Sequence, residues 1–233
     1  LPEVAALQDT VDEHRRHKDV YEHTLTVLQQ AMDLETGPDG AVPGPDLRLR
    51  LAALMHDIGK PATRRFMPDG TVTFHAHDYV GARMTAKRMR ALHFDKQTIK
   101  DVSRLVELHL RFHGYADSPW SDSAVRRYVT DAGPLLARLG CLTRADVTTG
   151  NRRKAAMLSH AYDDLERRIE ALREQEELAS IRPELDGQEI MAELGIKPGP
   201  EVGKAYKFLL DLRMERGPIG KELAREALHS WWA

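Results

Sequence analysis

Apolar residues recur mostly every three or four positions along this chain of 233 residues. That spacing is typical of helices that bury one face. It predicts helices at residues 20–34 and 47–58, the second ending at Gly59 and Pro61. The same pattern predicts further helices at residues 80–89, 99–113, 121–129, 151–179, 185–194 and 202–214, with a last helix reaching residue 231.

One segment departs from the helical spacing. Between residues 64 and 75, apolar residues flank a Pro68-Asp69-Gly70 turn and alternate after it, which predicts a small β-hairpin. Pro183 breaks the long charged helix before it. We therefore expect an all-α fold: a helical array over residues 1–180 with an inserted hairpin, followed by a helical tail over residues 181–233.

Composition and charge exclude several classes of protein. Lys and Arg total 34 against 36 Asp and Glu, a net charge of −2, which is typical of a globular chain. No apolar run is long enough to cross a bilayer, so a membrane span is not expected. Residues 1–10 lack the basic start of a signal peptide, and Cys141 is the only cysteine, which together favour a reducing, cytoplasmic location.

Eleven histidines are the informative excess, because several stand at inward positions or beside acids. Taken singly, each has an ordinary structural explanation, such as a helix cap or a core histidine bonded to a carbonyl. Together they place imidazole and carboxylate groups on at least four elements, and a shared metal ion explains this most economically. The candidate ligands are His23, His56, Asp57, His77, His109 and Asp146. His113 is predicted one helical turn after His109, on the same face.

This arrangement resembles the HD superfamily of metal-dependent phosphohydrolases. The resemblance places His23 as its first histidine, His56-Asp57 as its His-Asp pair and Asp146 as its final aspartate. His77 and His109 match the additional histidines that some branches use for a second metal. The family implies a helical fold with this pocket at its centre.

Longer motifs resemble the C-terminal half of bacterial tRNA nucleotidyltransferases, the CCA-adding enzymes, particularly of the actinobacterial kind. They are residues 17–24, the HDIGKP segment at 56–61, residues 74–82, 123–128 and 142–146, and tail segments within 182–203. A nucleotidyltransferase head, with its Gly-Ser motif and strand-borne carboxylates, is not found in this sequence. We therefore expect no nucleotidyl transfer by this chain alone, whether it is an excised portion or a free-standing relative.

A nitrogen and oxygen ligand set favours one or two divalent ions of Mn, Fe, Ni, Co or Zn, with Mg as an alternative. Asp57 is predicted to bridge two ions if the additional histidines bind. Lys60 and Arg64 are candidates for holding phosphate, or are surface charges beside a turn. His113 is a candidate acid or base outside the ligand set. The resemblance implies hydrolysis of 2′,3′-cyclic nucleotides or other phosphate esters of nucleotides and RNA ends.

Local basic charge raises a second hypothesis. Residues 83–104 contain seven basic residues against two acids. The resemblance implies that tRNA contacts such charge, and the candidates are Arg83, Lys87, Arg90, Arg126, Arg127, Arg152 and Arg153. Three hypotheses stay open: an active phosphohydrolase, a tRNA-binding body whose metal site is structural or idle, and a helical scaffold with ordinary core histidines.

Overall fold

The computed structural model describes residues 1–10, 20–118, 120–149, 151–176 and 181–233. Its helices are α1 (Pro2–Ala5), α2 (Val20–Asp33), α3 (Leu47–Met55), α4 (Lys60–Thr63), α5 (His77–Ala91), α6 (Lys96–Leu108), α7 (His113–Asp117), α8 (Asp122–Ala132), α9 (Leu136–Ala145), α10 (Arg152–Glu176), α11 (Gly187–Leu194), α12 (Pro200–Arg216) and α13 (Lys221–Trp232). Two short strands, β1 (Arg65–Phe66) and β2 (Val72–Thr73), pair antiparallel. The predicted all-α fold with a small hairpin is confirmed.

Two of the predicted segments extend beyond the residues that the structure describes. The first residues of the motif at 17–24 and the end of the helix predicted to reach residue 179 lie outside the described residues. In the described part of the chain, no helix is both long enough and apolar enough to cross a membrane.

The chain divides into two compact units. The first comprises residues 1–117 and 134–163, and the second comprises residues 118–133 and 164–233. The long helix α10 contributes residues to both. The boundary between a domain and a tail at residue 180 stays a prediction.

The core of the first unit lies where α2, α3, α5, α6 and α9 pack on one another. Fully buried residues such as Val27, Leu49, Met89, Leu105 and Leu142 face this centre from all five helices. Burying a side chain of this size contributes about 1.5–3 kcal/mol. These helices are therefore held firmly enough to fix the polar residues that sit at their ends.

The second unit contains a smaller core in which α11, α12 and α13 pack together. Its buried residues are Leu185, Ile190, Ala205, Leu209, Ala224 and Leu228. Asp186 begins α11 with a capping box, accepting hydrogen bonds from the backbone N–H groups of Gln188 and Glu189. Gly195 ends α11 in the left-handed conformation that glycine adopts without strain.

One predicted helix is shorter than its pattern suggests. The helix expected to run through residues 99–113 ends at Leu108, and His113 instead begins the separate helix α7. Tight turns interrupt it, with the Arg111 N–H donating to the Leu108 carbonyl at 2.9 Å. The prediction that His113 shares a helix face with His109 is therefore wrong.

Candidate metal centre

Six polar side chains from different parts of the first unit converge on one place. His23 lies within α2, His56 and Asp57 follow directly after α3, and His77 opens α5. His109 and Asp146 stand at the carboxyl ends of α6 and α9. These are the six residues predicted as metal ligands, and we call them the six-residue cluster.

The cluster consists of two groups that could each hold an ion. One group is His23, His56 and Asp146, and the other is Asp57, His77 and His109; within each, the ligand atoms lie within 4.8 Å of one another. In the first group, His23 Nε2 is 3.0 Å from Asp146 Oδ1 and 3.3 Å from His56 Nε2.

Asp57 connects the two groups through its two oxygens. Its Oδ2 lies 3.2 Å from His56 Nε2 and 3.5 Å from His23 Nε2, whereas its Oδ1 lies 3.3 Å from His77 Nε2. A single carboxylate therefore faces both groups at once. This is the placement expected of a carboxylate that bridges two ions.

Three of the histidine rings are oriented by the same kind of hydrogen bond to the nearby backbone. The Nδ1 atoms of His56, His77 and His109 donate hydrogen bonds to the backbone carbonyls three residues earlier, at 2.8, 2.9 and 2.6 Å. Because a carbonyl can only accept, each Nδ1 carries the proton when the ring is neutral, and the Nε2 lone pair faces the cluster. Such bonds fix the ring orientation that a metal ligand needs.

The fourth histidine is oriented by a residue that sequence reasoning missed. His23 Nδ1 lies 3.0 Å from the hydroxyl of Thr148, which is distant in sequence. A hydroxyl either donates or accepts, so Thr148 suits either form of the ring. Nothing in the local sequence around Thr148 could have indicated this contact.

The backbone near His77 contains a very close approach between two segments and one residue in the left-handed conformation. A Cβ atom placed on Gly59 would lie 2.1 Å from the His77 carbonyl oxygen and 2.7 Å from the Gly81 nitrogen. Only glycine therefore permits the turn after Asp57 to approach α5 so closely. Ala76, just before His77, adopts φ 61° and ψ 25°, a left-handed conformation that costs a non-glycine residue about 1–3 kcal/mol.

The charges of the cluster depend strongly on one another. Burial lowers the pKa of His56, but the Asp57 and Asp146 carboxylates outweigh it and raise that pKa to about 10. Burial also lowers the pKa of His109, and the charge on His56 adds to this, bringing it to about 4. Although burial opposes it, His56 and Lys60 hold the pKa of Asp57 well below its usual value. The cluster therefore keeps ionised carboxylates beside at least one neutral imidazole.

The donor set fits a divalent transition metal. His109 is fully buried, and its Nε2 has no hydrogen-bond partner among the described residues, although it faces the cluster. A buried polar atom without a partner costs about 1–3 kcal/mol, and a bound ion would remove that cost. Imidazole and carboxylate ligands suit Mn, Fe, Co, Ni and Zn.

The side chains of the cluster differ in their exposure to solvent. The side chains of His56 and Asp57 are almost fully buried, whereas those of His23 and Asp146 are each 15% exposed. The Lys60 ammonium lies 2.8 Å from Asp57 Oδ2 and its side chain is also partly exposed. Solvent therefore reaches the cluster from the side of His23, Asp146 and Lys60.

The structure does not bring two further predicted site residues to the cluster. Arg64 is exposed; its guanidinium donates to the Asp9 carbonyl at 3.4 Å and lies 5.4 Å from the centroid of the Phe66 ring. His113 is exposed at the start of α7. Within the described ranges, neither side chain forms a hydrogen bond or ion pair with the cluster.

Five of the seven predicted RNA-binding residues are exposed on two helices. Arg83, Lys87 and Arg90 are exposed on α5, and Arg152 and Arg153 are exposed at the start of α10. Their side chains are open to solvent, as contact with a polyanion requires.

The structure contradicts the prediction that Arg126 contributes to an RNA-binding surface. It is buried, and its guanidinium donates to both Glu176 carboxylate oxygens, at 2.8 and 2.6 Å, and to the Met214 carbonyl at 3.0 Å. The structure therefore gives Arg126 a role inside the second unit, not on a nucleic-acid surface. The neighbouring Arg127 is exposed and pairs with Glu215.

Two curated relatives match almost the whole chain. The chain is 34% identical over 236 residues to the A-adding tRNA nucleotidyltransferase of Deinococcus radiodurans, covering 100% of this chain and 51% of the relative. It is 37% identical over 235 residues to the CC-adding tRNA nucleotidyltransferase of Thermus thermophilus, covering 99% of this chain and 49% of the relative. The chain thus spans about half the length of these relatives.

A family match covers the part of the chain that carries the cluster. Residues 20–151, more than half of the chain, match the model of the HD domain. All six cluster residues lie within that range. The chain belongs to the HD domain family.

Proposed function

We propose that this chain is a metal-dependent phosphohydrolase that acts on nucleotide phosphate esters, with 2′,3′-cyclic phosphodiesters as the favoured substrate. The observation that carries the proposal is the six-residue cluster, in which two groups of three ligands share Asp57. Ordinary core histidines do not explain why four imidazoles and two carboxylates should converge in one apolar core.

Two ions fit the cluster better than one. His23, His56 and Asp146 would hold the first ion, and His77 and His109 would hold the second, with Asp57 shared between them. Divalent ions bound there would supply positive charge for phosphate oxygens and make water more acidic near neutral pH.

The surrounding residues determine how a substrate would meet this centre. The backbone carbonyls behind His56, His77 and His109 keep the three Nε2 atoms aimed inward before any ligand arrives. Lys60 lies at the more exposed side of the cluster and offers an ammonium group to a phosphate oxygen. The buried walls keep other water away, which strengthens every charge interaction inside.

Metal analysis combined with hydrolysis of 2′,3′-cyclic AMP tests the proposal. The purified protein is loaded with Mn, Ni, Co, Zn or Mg, and its metal content and turnover are measured with and without chelator. We expect bound metal and hydrolysis that the chelator abolishes. The substitution Asp57→Asn should lower turnover by about a thousandfold or more, because it removes the shared carboxylate.

A matched pair of histidines provides the control. His77 is buried in the cluster, whereas His75, two residues earlier, is exposed. His77→Ala should lose metal and activity, and His75→Ala should retain both. Equal activity in the two variants, with both folded by circular dichroism, would contradict the proposal.

A second candidate function is a tRNA-binding body. The relatives that match the whole chain are named as tRNA nucleotidyltransferases, and exposed basic residues are present on α5 and α10. In this alternative the metal site is structural or idle. A filter-binding assay that finds no salt-sensitive affinity for tRNA would reject it.

A further inference from the structure

A cavity of about 370 Å³ lies within the first unit, between α2, α9 and the first half of α10. We call it the α2 cavity. Its volume is at the lower end of the range for small-molecule sites, so it suits a single small ligand. Residues that line it include Gln30, Asp33, Arg144, Val147, Ala155 and Tyr162.

The α2 cavity and the six-residue cluster share two stretches of chain. Val147 lines the cavity, whereas Asp146 before it belongs to the cluster and Thr148 after it contacts His23. On α2, Gln30 lies seven residues after His23, so the two share a helix face about 10.5 Å apart along the axis. His23 and Asp146 are also the more exposed members of the cluster. The cavity therefore adjoins the side from which solvent reaches the cluster.

The charges at the α2 cavity suit an uncharged ligand group. The Arg144 guanidinium pairs with Asp163 at 2.8 Å. The Asp33 carboxylate adds negative charge, and its Oδ1 accepts a hydrogen bond from Gln29 at 2.9 Å. Because the arginine is already paired and a carboxylate is nearby, the cavity favours a neutral group over a phosphate.

The walls of the α2 cavity are partly flat and apolar. Tyr162 is buried and stacks on Phe112, with ring centroids 3.5 Å apart and planes inclined by 14°. The Arg144 guanidinium lies 5.0 Å from the centroid of the Tyr162 ring. Val147 and Ala155 add apolar surface. Such walls fit a planar ring, since rings and guanidinium groups stack on one another.

One polar side chain of the α2 cavity is available to a ligand. The Gln30 side chain is only partly exposed, and among the residues that the structure describes its amide has no hydrogen-bond partner. A carboxamide presents a donor and an acceptor side by side. This is the pattern that pairs with N6 and N7 of adenine.

We propose that the α2 cavity holds the adenine base of a nucleotide whose phosphate lies at the cluster, with Gln30 contacting the edge of the base. The separation of about 10.5 Å between Gln30 and His23 along α2 requires a spacer between base and phosphate, and a ribose supplies one. The catalytic part of this inference rests on the proposed function. The binding part does not, because adenosine carries no phosphate.

Calorimetric titration of the whole chain with adenosine and with purine riboside, with and without chelator, tests the binding part. Purine riboside lacks the 6-amino group and should bind about fivefold more weakly than adenosine. In Gln30→Leu, adenosine affinity should fall about tenfold and the preference over purine riboside should disappear, because both changes remove the same contact. Gln175→Leu alters an exposed glutamine of α10 and should leave both affinities unchanged.

A matched pair of alanines tests the location of the bound base. Ala155 lines the α2 cavity and is partly buried, whereas the neighbouring Ala156 is exposed outside it. Ala155→Trp should fill the cavity and abolish adenosine binding. Ala156→Trp adds the same ring and should leave adenosine binding unchanged, with both variants folded by circular dichroism.

Hydrolysis separates recognition of the base from chemistry at the phosphate. Gln30→Leu should raise the KM for 2′,3′-cyclic AMP about tenfold and leave kcat nearly unchanged, since the base is held equally before and during the reaction. Glycerol 1,2-cyclic phosphate carries the same kind of diester without a base. Its hydrolysis should be equal in Gln30→Leu and the unchanged protein.

Three results would overturn the inference: no binding of adenosine up to its solubility limit, equal affinity for adenosine and purine riboside, or normal adenosine binding in Ala155→Trp. Chelator-sensitive hydrolysis of glycerol 1,2-cyclic phosphate would leave the proposed function standing in each case. Conversely, adenosine binding that depends on Gln30 and Ala155, without any hydrolysis, would reject the proposed function and support the adenine site.

Discussion

The two units of this protein bury charge in opposite ways. In the second unit, Arg126 and Glu176 form a bidentate ion pair, and the third guanidinium contact goes to the Met214 carbonyl. In the first unit, the six-residue cluster crowds two carboxylates and four imidazoles together, and His109 Nε2 has no hydrogen-bond partner among described residues.

This difference distinguishes a buried charge that protein atoms satisfy from a cluster that leaves a buried ligand atom without a partner among the described residues. A buried pair that protein atoms satisfy completely needs nothing further, and its cost is covered by its own hydrogen bonds. A cluster with aligned lone pairs and an unpartnered ring nitrogen is stable only because the surrounding helices hold it. A cation is the partner that its chemistry lacks.

The largest expected effect comes from breaking the satisfied pair. Arg126→Met should lower the free energy of unfolding by about 3–5 kcal/mol, because it leaves Glu176 buried without a partner. Chemical denaturation measures the change. The double variant Arg126→Met/Glu176→Leu should regain much of the loss, since no unpaired charge remains.

The exposed neighbouring pair supplies the control for that experiment. Arg127→Ala removes an ion pair between two half-exposed side chains and should cost only about 0–1 kcal/mol. Metal content per chain should stay unchanged in every one of these variants. Loss of metal in Arg126→Met would show that the contrast between the two charge clusters is wrong.

A smaller loss of stability is expected from the backbone that supports the metal cluster. Gly59→Ala forces a Cβ atom against the His77 carbonyl, and such overpacking costs about 1–3 kcal/mol. Because His77 must move, bound metal should fall as well. Denaturation and elemental analysis measure the two effects.

Substitution of another glycine, Gly203, should change the stability in the opposite direction. Gly203 lies within α12, and a Cβ atom there would meet nothing within 4 Å. Gly203→Ala should therefore stabilise the protein by about 0.5–1 kcal/mol and leave the metal content unchanged. If Gly59→Ala behaved like Gly203→Ala, the close approach at Gly59 would not matter to the site.

A further small effect is expected at Asp46, whose ion pair is less deeply buried than that of Arg126 and Glu176 but more buried than that of Arg127 and Glu215. Asp46 caps α3 through the Leu49 N–H and also binds Arg138. Burial raises the pKa of Asp46, but the hydrogen bonds from Arg138 and Leu49 outweigh it, so the pKa lies below its usual value. This stabilisation is present above the unfolded pKa of about 4 and is lost as the pH falls through the folded pKa.

Asp46→Asn keeps the cap but removes the charge. At neutral pH it should cost about 1 kcal/mol, and the gap from the unchanged protein should close as the pH falls below about 4. Denaturation at several pH values measures the gap, with the exposed loop variant Asp39→Asn as control. A gap that stays constant with pH would show that the Arg138 pair contributes nothing through charge.

The local sequence indicated much of the fold because helices and hairpins depend on short-range patterns. The Pro68-Asp69-Gly70 turn marked the hairpin, and the apolar spacing of residues 20–34 marked α2. The helix through His109 was predicted too long, because its apolar spacing continues past the tight turns that end it at Leu108.

The candidate site was predicted from residue types and from resemblance, and the structure brings the six predicted ligands together. Arg126 shows the limit of this reasoning. Its adjacent arginine suggested a basic surface, yet only packing against α10 and α12 buries it. A dipeptide of two arginines does not reveal which side chain will face inward.

Local sequence patterns were enough to predict the long helices approximately and to identify the side chains that are chemically able to bind a metal ion. Only the tertiary structure places Thr148 where it orients His23 and shows that the missing side chain at Gly59 lets the turn approach α5. The physical reason is the distance along the sequence over which each kind of interaction acts. Periodicity and capping act within a few residues, whereas ligand geometry depends on how helices distant in sequence pack into one core.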